Sequence, residues 1–352
     1  MSDSTDAALE KRCAFDVIVV GGGPAGAVSA LLLARGGARV CLVHAEAECR
    51  SRRIELLSGR ACRFLEAHCP DFALRERPGI EIHETISLWG TAEPVKWSAL
   101  CDPWGPGVAL ERALVDDALR ARARRAGATI LRGRITRGEF RGDRWHLELR
   151  DHVTVESLAT AFVVLATGGT GRQLVGREKA GRPAQIAIMA CLEASAGAPR
   201  DALYLELATR GWWYALPACN GRLFTGFCAG RDWMASMGGT VRSAFADELR
   251  RSRLLGSVGA TTLPAPPVVA RSAGPRSYED VAGKGWVAVG DAAFVADPLS
   301  GGGVDFALES ARFVANALLA GSRQPGLAAY EDAVREHAAR QLRARALFRN
   351  AS

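Results

Sequence analysis

The order of hydrophobic and polar residues predicts a strand–helix–strand unit near the start of the chain. Residues 15–20 form a short apolar run. A glycine-rich turn and an alanine- and leucine-rich segment follow, up to Gly36 and Gly37. A short apolar run bounded by glycine is typical of a buried parallel strand, and the segment after it predicts a helix that ends at the glycine pair. Residues 38–45 predict the second strand.

The rest of the pattern predicts helices and short strands in two groups. Helices are predicted at 53–67, 110–126, 240–254, 303–320 and 327–348. Strands are predicted at 80–100, as antiparallel strands of a second lobe, at 129–141, 144–150 and 160–166, at 203–228 as a pair turned at Asn220-Gly221, and at 285–289. A proline-rich connection covers 264–267.

The first turn carries the spacing Gly21-x-Gly23-x-x-Gly26, with Pro24 and Ala25 between the last two glycines. In a dinucleotide site the first glycine permits a tight turn, and the second lets a pyrophosphate approach the backbone. The third lets helix and strand pack closely, and the helix N-terminus offers unpaired N–H groups. The alternative is a turn that serves packing alone, and the complete strand–helix–strand context favours the nucleotide site.

The end of the second strand lacks the acidic residue that usually binds a ribose hydroxyl. His44 stands there, with Glu46 two residues further on. An imidazole can still form a hydrogen bond with a hydroxyl, so His44 is a candidate ribose contact. The alternative is an exposed strand end.

A second glycine motif lies near the other end of the chain. Gly290-Asp291 follows a predicted strand, and Asp297-Pro298 leads to Gly301, Gly302 and Gly303 before a helix. A carboxylate at the end of a strand suits the ribityl hydroxyls of a flavin, and glycines before a helix offer N–H donors to its pyrimidine edge. Because an NAD site needs no second nucleotide motif, the pair predicts FAD.

The two motifs must meet around one cofactor, although they lie at opposite ends of the chain. We therefore predict an α/β fold with two lobes. A Rossmann-type FAD-binding domain is expected from residues 1–78, 105–185 and 270–352. An antiparallel β-sheet substrate domain, an α+β lobe, is expected from 79–104 and 186–269.

Composition adds limits to this picture. The formal net charge is +7, and clusters at Arg50–Arg53 and Arg120–Arg125 could form a face for nucleic acid. Solvated helix faces and neighbours of flavin phosphates are the simpler interpretation, because no nucleic-acid motif accompanies them.

The 9 cysteines include no Cys-x-x-Cys pair, so no metal site is expected. No membrane span or secretory signal is expected either, and we expect a cytoplasmic protein.

With these motifs the chain resembles the flavoproteins of the p-hydroxybenzoate hydroxylase type, a group that includes monooxygenases and flavin-dependent halogenases. Within this group it is similar to the monooxygenases that mature tryptophylquinone cofactors of amine, glycine and lysine oxidases. The matching segments are Trp89-Gly90-Thr91, 103–107 with Arg112 and Asp117, Gly211-Trp212-Trp213-Tyr214 with Pro217, and a shortened tail from Tyr330 to Phe348.

The resemblance implies that Arg112 lies near the flavin, with a surface salt bridge as the alternative, and Arg53 and Gly168 are further candidate cofactor contacts. It also implies NAD(P)H as reductant and O₂ as co-substrate. The reaction would be hydroxylation of an aromatic substrate by a flavin C4a-hydroperoxide. An indole is expected, as a free molecule or as a tryptophan of a partner polypeptide.

The candidate catalytic residues are Asp297, Pro298, Trp213 and Tyr214. Asp297 lies where the family places its reacting flavin edge, and a helix cap is the alternative. Side chains of consecutive strand residues point to opposite faces, so one face of the segment Trp212–Tyr214 could line a substrate cavity. A plain aromatic core is the alternative.

Other functions remain open from the sequence. Halogenases of this fold use a lysine just after the second strand, and no lysine lies between Lys11 and Lys96. Their W-x-W-x-I-P segment corresponds to Trp212-x-Tyr214-x-Leu216-Pro217, which departs at two positions. A flavin reductase acting on a small natural product shares both glycine motifs. A different class of function is an FAD-containing maturation chaperone that holds a partner polypeptide.

Overall fold

The computed structural model contains two large β-sheets with helices packed around them. It describes residues 14–45, 53–72, 78–151, 153–170, 173–175, 185–218, 221–236, 238–259, 268–321 and 323–350. This arrangement confirms the predicted α/β class with an additional β-sheet lobe.

The first sheet has eight strands and a parallel centre in the order β19-β11-β1-β2-β8. Its strands are β1 (Ala14–Val20), β2 (Val40–His44), β8 (Thr129–Arg132), β9 (Arg134–Arg141), β10 (Arg144–Arg150), β11 (Val155–Leu165), β18 (Ala282–Gly283) and β19 (Trp286–Ala288). Val17 to Val20 are buried, as expected for a strand covered on both faces. Because β1 pairs in parallel with both β2 and β11, the glycine loop that follows β1 opens at the carboxyl edge of the sheet.

The helices of the chain were mostly foreseen from its periodicity. They are α1 (Pro24–Arg35), α2 (Gly59–His68), α3 (Arg112–Arg125), α4 (Arg231–Ser236), α5 (Val241–Arg251), α6 (Arg253–Ser257), α7 (Gly303–Leu319) and α8 (Arg323–Asn350). Helix α1 contacts both α3 and α7, so helices from the start, middle and end of the chain pack together. No helix in the described ranges is long and apolar enough to span a membrane.

The second sheet has seven strands in the order β16-β12-β15-β14-β13-β5-β6. Its strands are β5 (Glu84–Leu88), β6 (Val95–Ser98), β12 (Gln185–Glu193), β13 (Ala202–Ala208), β14 (Gly211–Ala218), β15 (Arg222–Gly230) and β16 (Val269–Ala273). All neighbours are antiparallel except β13 and β5, which run parallel. Strands β12 and β16 are absent from the sequence prediction.

Smaller strands connect the two sheets. Strands β3 (Ile54–Leu57), β7 (Gly107–Glu111) and β4 (Ile80–Ile82) form a three-stranded sheet, and β17 (Arg276–Ser277) pairs with β20 (Phe294–Val295). Side chains from the three-stranded sheet, including Ile54, Ile82 and Ala109, pack against Leu216 and Phe224 of the second sheet. The three-stranded sheet is therefore one contact between the two lobes.

The predicted helix at 53–67 is wrong over its first part. Residues 54–57 form strand β3, which pairs with β7 from Ile54 opposite Glu111. Helix α2 begins only after Ser58, whose Oγ accepts a hydrogen bond from the backbone N–H of Ala61 at 3.0 Å. The sequence Ile-Glu-Leu-Leu at 54–57 fits a short strand as well as a helix, so the pattern alone could not locate the boundary. In the same way, residues 110 and 111 belong to β7 and α3 begins at Arg112.

Two predicted strand regions contain an extra break. Region 129–141 splits at Gly133, whose φ of +142° lets the chain leave the parallel sheet and enter the antiparallel strand β9. Region 203–228 holds three strands rather than a pair, because β13 and β14 are separate. The residues 219–220 and 260–267, with the predicted turn at Asn220 and the proline-rich connection, lie outside the described residues. The division into FAD-binding and substrate domains stays a prediction.

Candidate active site

The glycine loop after β1 is shaped by close packing at its first and third glycines. Gly21 has a φ of +114°, and a Cβ there would lie 2.1 Å from the carbonyl oxygen of Ala166. A Cβ at Gly26 would lie 1.9 Å from the carbonyl oxygen of Gly21. Around Gly23 there is more room, and the nearest group is Nη2 of Arg112, 3.5 Å from the position of a Cβ. A phosphate at the second glycine would thus meet open backbone and a guanidinium group.

Helix α1 begins directly on this loop. Gly23 is its N-cap residue, no side chain caps the helix, and Pro24 occupies the first turn, where its missing N–H costs no hydrogen bond. The first N–H groups of the helix remain available, together with the positive end of the helix dipole. This is the arrangement that binds the pyrophosphate of a dinucleotide.

Arg112 is held beside the loop by two carboxylates. Its Nη1 donates to Oε2 of Glu55 at 2.6 Å and its Nε donates to Oδ1 of Asp116 at 2.9 Å, while Arg53 donates to the same oxygen of Glu55 at 2.8 Å. Burial would raise the pKa of Glu55, but Arg53 and Arg112 outweigh it and keep the pKa below its usual value. Glu55 therefore stays ionised and fixes Arg112. The guanidinium is partly buried in this salt-bridge network, and its contact with a flavin stays a prediction.

The two glycine motifs meet in space. A Cβ at Gly290 would lie 2.8 Å from the Cβ of Ala25, so the turn after β19 packs on the first turn of α1. Asp291 follows this turn. Its side chain is accessible, yet it sits in a crevice where the surrounding protein raises its pKa and Arg112 opposes the rise.

The carboxylate of Asp291 has no hydrogen bond or ion pair with another residue in the described part of the chain. Because this carboxylate is accessible and has no partner within the protein, it is free to accept hydrogen bonds from a ligand. The hydroxyls of a ribityl chain are donors of this kind. The residues present therefore fit the flavin that the sequence predicts.

The loop before α7 completes the crevice. Gly301 adopts a φ of +61°, Gly302 is the N-cap residue of α7, and no side chain caps that helix. A Cβ at Gly301 or Gly303 would meet nothing within 4 Å. Gly303 is thus not required by packing within the protein, and the loop presents free backbone to the crevice.

Asp297 lies beside this loop and is almost fully buried, with 6% of its surface exposed. Its Oδ1 accepts from the backbone N–H of Leu299 at 3.0 Å, and its Oδ2 forms an ion pair with Nε of Arg345 at 2.9 Å. Asp297 therefore caps a helix, which is the alternative that the sequence left open for this residue. Pro298 is exposed next to it. Arg345 comes from the terminal helix α8, and no sequence signal pointed to it.

The aromatic residues of β14 divide between the two faces of the second sheet. Trp213 is 1% exposed and packs between Phe227 and Phe245, under the helices that cover the far face. Trp212 and Tyr214 lie on the opposite face, in a cluster with Trp89 and with Leu299 of the loop beside α7. Trp213 is therefore a core residue and not a member of the site, while Tyr214 faces it. Trp212 and Trp89 belong to this face and were missing from the predicted catalytic residues.

His44 and Gly168 lie at the margins of the crevice. A Cβ at Gly22 would be 2.5 Å from the Cβ of His44, so the imidazole stands beside the glycine loop. Burial and the nearby charge of Arg120 lower the pKa of His44, which keeps the ring neutral and able to accept or donate a hydrogen bond. Gly168 has a φ of +73° and open space around its Cα. Whether these two residues contact a cofactor stays a prediction.

Metal chemistry finds no support in the described ranges, which hold no group of three or more histidine, cysteine, aspartate or glutamate side chains placed to bind an ion. A separate cavity of about 340 Å³ lies elsewhere, and Pro78, Arg200, Pro217 and Arg222 are among its lining residues. Its lining includes none of the predicted site residues. The crevice between the two glycine motifs is thus the candidate active site.

Comparison with known proteins decides the family. A family model described as an FAD binding domain matches residues 14–346. The chain belongs to this FAD-binding family. The match covers both glycine motifs and everything between them, which confirms the predicted resemblance to flavoproteins of the p-hydroxybenzoate hydroxylase type. It also shows that the chain is an FAD-dependent oxidoreductase.

Individual relatives are similar over most of this FAD-binding chain. LodB of Marinomonas mediterranea, whose name assigns it to the FAD-dependent oxidoreductases, is 26% identical over 91% of this chain and 89% of its own. A menaquinone reductase of Mycolicibacterium smegmatis is 27% identical over 92% of this chain and 81% of its own.

Two solved structures share the fold. The peptidyl tryptophan dihydroxylase QhpG, described as essential for tryptophylquinone cofactor biogenesis, has a TM-score of 0.78 and 26% identity, and the match covers 96% of this chain and 75% of that one. The myxobacterial chondrochloren halogenase CndH has a TM-score of 0.80 and 24% identity over 92% of this chain and 79% of its own, which shows a common fold. A hydroxylase and a halogenase thus both have this fold.

Proposed function

We propose that this protein is an FAD-dependent monooxygenase that hydroxylates an aromatic substrate, an indole in particular, which can be a tryptophan of a partner polypeptide. The overall reaction converts an aromatic C–H, O₂, NAD(P)H and a proton into the C–OH product, NAD(P)⁺ and water. The observation that carries the proposal is the aromatic face of Trp89, Trp212 and Tyr214, which packs against Leu299 of the loop next to the glycine motif.

Each part of the crevice has a role in this proposal. Asp291 binds the ribityl hydroxyls, the N-terminus of α1 and Arg112 bind the pyrophosphate, and the free backbone before α7 binds the pyrimidine edge. When bound, FAD supplies the transfer of electrons from the reductant to dioxygen and of one oxygen atom to the substrate. The protein contributes position and a dry surface, so no nucleophilic side chain is required.

The aromatic face suits a flat, apolar substrate. The centroids of Trp212 and Tyr214 lie 5.8 Å apart, and those of Trp89 and Trp212 lie 6.4 Å apart. Trp212 is 7% exposed, so water is largely excluded from its ring. Tyr214 is positioned by Gly226 on the next strand, because a Cβ at that glycine would lie 2.2 Å from its ring. A substrate ring can therefore pack on a fixed surface beside the flavin edge.

Similarity to QhpG supports the peptidyl form of the substrate, because the name of that enzyme assigns it a tryptophan within a peptide. Against halogenation stands the chain itself, in which no lysine lies between Lys11 and Lys96, the region just after the second strand. The test is NADH or NADPH oxidation by the FAD-loaded protein in air, with free indoles and with tryptophan peptides. Mass spectrometry should find products heavier by about 16 or 32 Da, the mass of one or two oxygen atoms.

A second candidate, a flavin reductase, is favoured by the similarity to a menaquinone reductase. The two functions differ in their need for oxygen. A reductase would oxidise NAD(P)H without air when a quinone is supplied, and it would insert no oxygen. Substrate-dependent turnover that persists under nitrogen, with no oxygenated product in air, would favour the reductase and contradict the monooxygenase.

A further inference from the structure

The terminal helix α8 packs on the rest of the protein through one continuous face. Buried and half-buried side chains recur along it at steps of three or four residues, namely at Tyr330, Val334, His337, Gln341 and Arg345. Steps of this size place side chains on one side of a helix. The face therefore extends over about four turns.

This face lies along the second glycine motif. Near its start, the hydroxyl of Tyr330 donates to the carbonyl oxygen of Ala288 at 2.8 Å, in the strand that leads into the motif. Near its end, Nε of Arg345 forms an ion pair with Oδ2 of Asp297 at 2.9 Å, in the loop that completes the motif. Helix α8 thus contacts both ends of the segment that forms this side of the crevice.

The loop at 297–302 is shaped by bonds within itself. Oδ1 of Asp297 accepts from the backbone N–H of Leu299 at 3.0 Å, and its carbonyl oxygen accepts from the backbone N–H of Ser300 at 3.0 Å. The carbonyl oxygen of Pro298 accepts from the N–H of Gly301 at 3.2 Å. These bonds define the shape of the loop, whereas the bond from Arg345 to Oδ2 joins the loop to another element.

Burial makes this ion pair an effective fixed point. Asp297 is 6% exposed and the side chain of Arg345 is 18% exposed, so solvent screens the pair only weakly. One turn earlier in α8, Nε2 of Gln341 lies 3.8 Å from the position of a Cβ on Gly302, the N-cap residue of α7. Two side chains of α8 therefore lie against the loop from which α7 begins.

We infer that Arg345 is a positioning residue for the cofactor. Its ion pair with Asp297 holds the loop at 297–302 and the uncapped N-terminus of α7 where their N–H groups reach the pyrimidine edge of FAD. The inference rests on the role proposed for this loop in FAD binding, and it applies to a monooxygenase and to a reductase alike.

The position of the loop affects two properties of bound FAD. The N–H groups contribute to its affinity, and the positive end of the α7 dipole favours negative charge on the group that it faces. Reduction places negative charge on the pyrimidine part of a flavin, so a displaced loop should also lower the midpoint potential. A side chain that only stabilises the fold would change the Tm and leave this potential unchanged.

The variant Arg345→Met tests the inference through both properties. The Kd for FAD, the midpoint potential of FAD bound at saturation and the Tm of the FAD-free protein are measured. The variant should bind FAD about 3- to 10-fold more weakly, the ratio expected for the loss of one hydrogen bond, and its midpoint potential should be lower. Arg345→Lys keeps the positive charge and should restore most of both properties.

Two further variants show whether Arg345 acts through the loop. Arg335→Met is the matched control, because Arg335 lies in the same helix, is 61% exposed and pairs with Asp332 at 3.0 Å. It should change neither the Kd nor the potential. Adding Asp297→Asn to Arg345→Met should weaken FAD binding no further, since the two residues act as one unit. If Arg345→Met does not fold, Arg345→Gln takes its place, with changes expected in the same direction.

The inference is overturned by an unchanged Kd in the folded variant, by a weaker Kd with an unchanged midpoint potential, or by an equal loss in Arg335→Met. The proposed roles fail separately. Loss of FAD affinity in Gly303→Ala but not in Arg345→Met would support the role of the loop and contradict that of Arg345. Changes in both the Kd and the potential without any oxygenated product would contradict the monooxygenase and support the positioning role.

Discussion

Asp291 provides the sharpest test of the candidate cofactor site. The substitution Asp291→Asn keeps the size of the side chain and removes its charge. In the structure this carboxylate stands in a crowded crevice, its pKa is raised by burial, and it has no hydrogen bond or ion pair with another described residue. Two effects of opposite sign follow, one on stability and one on FAD binding.

The expected magnitudes come from the surroundings of the carboxylate. A hydrogen bond to a charged group contributes about 1.5–3 kcal/mol and a neutral one about 0.5–1.5 kcal/mol. The amide oxygen of asparagine still accepts, so the loss of charge should weaken FAD binding about 5- to 10-fold. In the protein without FAD no partner is lost. The amide is less costly to desolvate than the carboxylate, so the free energy of unfolding should stay unchanged or rise slightly.

The assay compares FAD affinity with thermal stability. FAD is removed, and both the Kd for added FAD and the Tm of the FAD-free protein are measured for wild type and variant. Asp143→Asn is the control, because Asp143 is exposed and pairs with Lys284 at 2.9 Å on the surface. At this position φ is +60°, which asparagine tolerates well, so the control should change neither quantity.

Equal FAD affinity in wild type and Asp291→Asn would refute the assigned role of the carboxylate. A loss of FAD together with a large fall in Tm of the FAD-free protein would also contradict the reasoning. That result would mean that Asp291 stabilises the fold and affects FAD only through it.

Other substitutions and pH provide three more tests. Gly26→Ala should prevent correct folding, because its Cβ would lie 1.9 Å from a backbone oxygen. Gly303→Ala should fold and lose FAD affinity, and expression and FAD titration check both variants. Arg345→Met should leave the buried carboxylate of Asp297 unpaired and lower stability in urea unfolding by up to about 3 kcal/mol, with partial recovery on adding Asp297→Asn. Burial and nearby arginines lower the pKa of His337, so this residue takes up its proton more readily in the unfolded chain. Stability should therefore fall as pH drops below about 6.5, and His337→Phe should flatten that part of the profile of stability against pH.

Local patterns predicted the cofactor side of the molecule well. Strand β1, helix α1 and helix α7 each come from one continuous segment whose periodicity and glycines identify it. The meeting of Gly290 with Ala25 could be expected because both motifs would serve one cofactor. The start of α2 could not, since the run at 54–57 is too short to distinguish strand from helix.

Two ion pairs of the site, which join residues far apart in the chain, had no signal in the sequence. Arg112 and Glu55 are 57 positions apart, and Asp297 and Arg345 belong to different elements whose contact depends on how α8 packs. The sequence also could not identify the substrate face of the second sheet. Alternation along β14 predicts that Trp212 and Trp213 point to opposite faces, but not which face the helices cover. Phe245 of α5 settles this by packing on Trp213.

The groups without a partner in this structure lie around the crevice, and this location supports its interpretation as a ligand-binding site. The carboxylate of Asp291, the uncapped N-terminus of α7 and the indole N–H of Trp89 each lack a partner in the described chain. The buried indole N–H of Trp89 lowers the stability of the protein without ligands, whereas the exposed Asp291 can pair with water until a ligand binds. The carboxylate of Asp291 can accept hydrogen bonds from a flavin, and the N-terminus of α7 can donate them. The indole of Trp89 lies on the aromatic face next to the crevice. Ligand binding would satisfy all of these groups, so the protein should gain more stability from FAD and substrate together than from FAD alone.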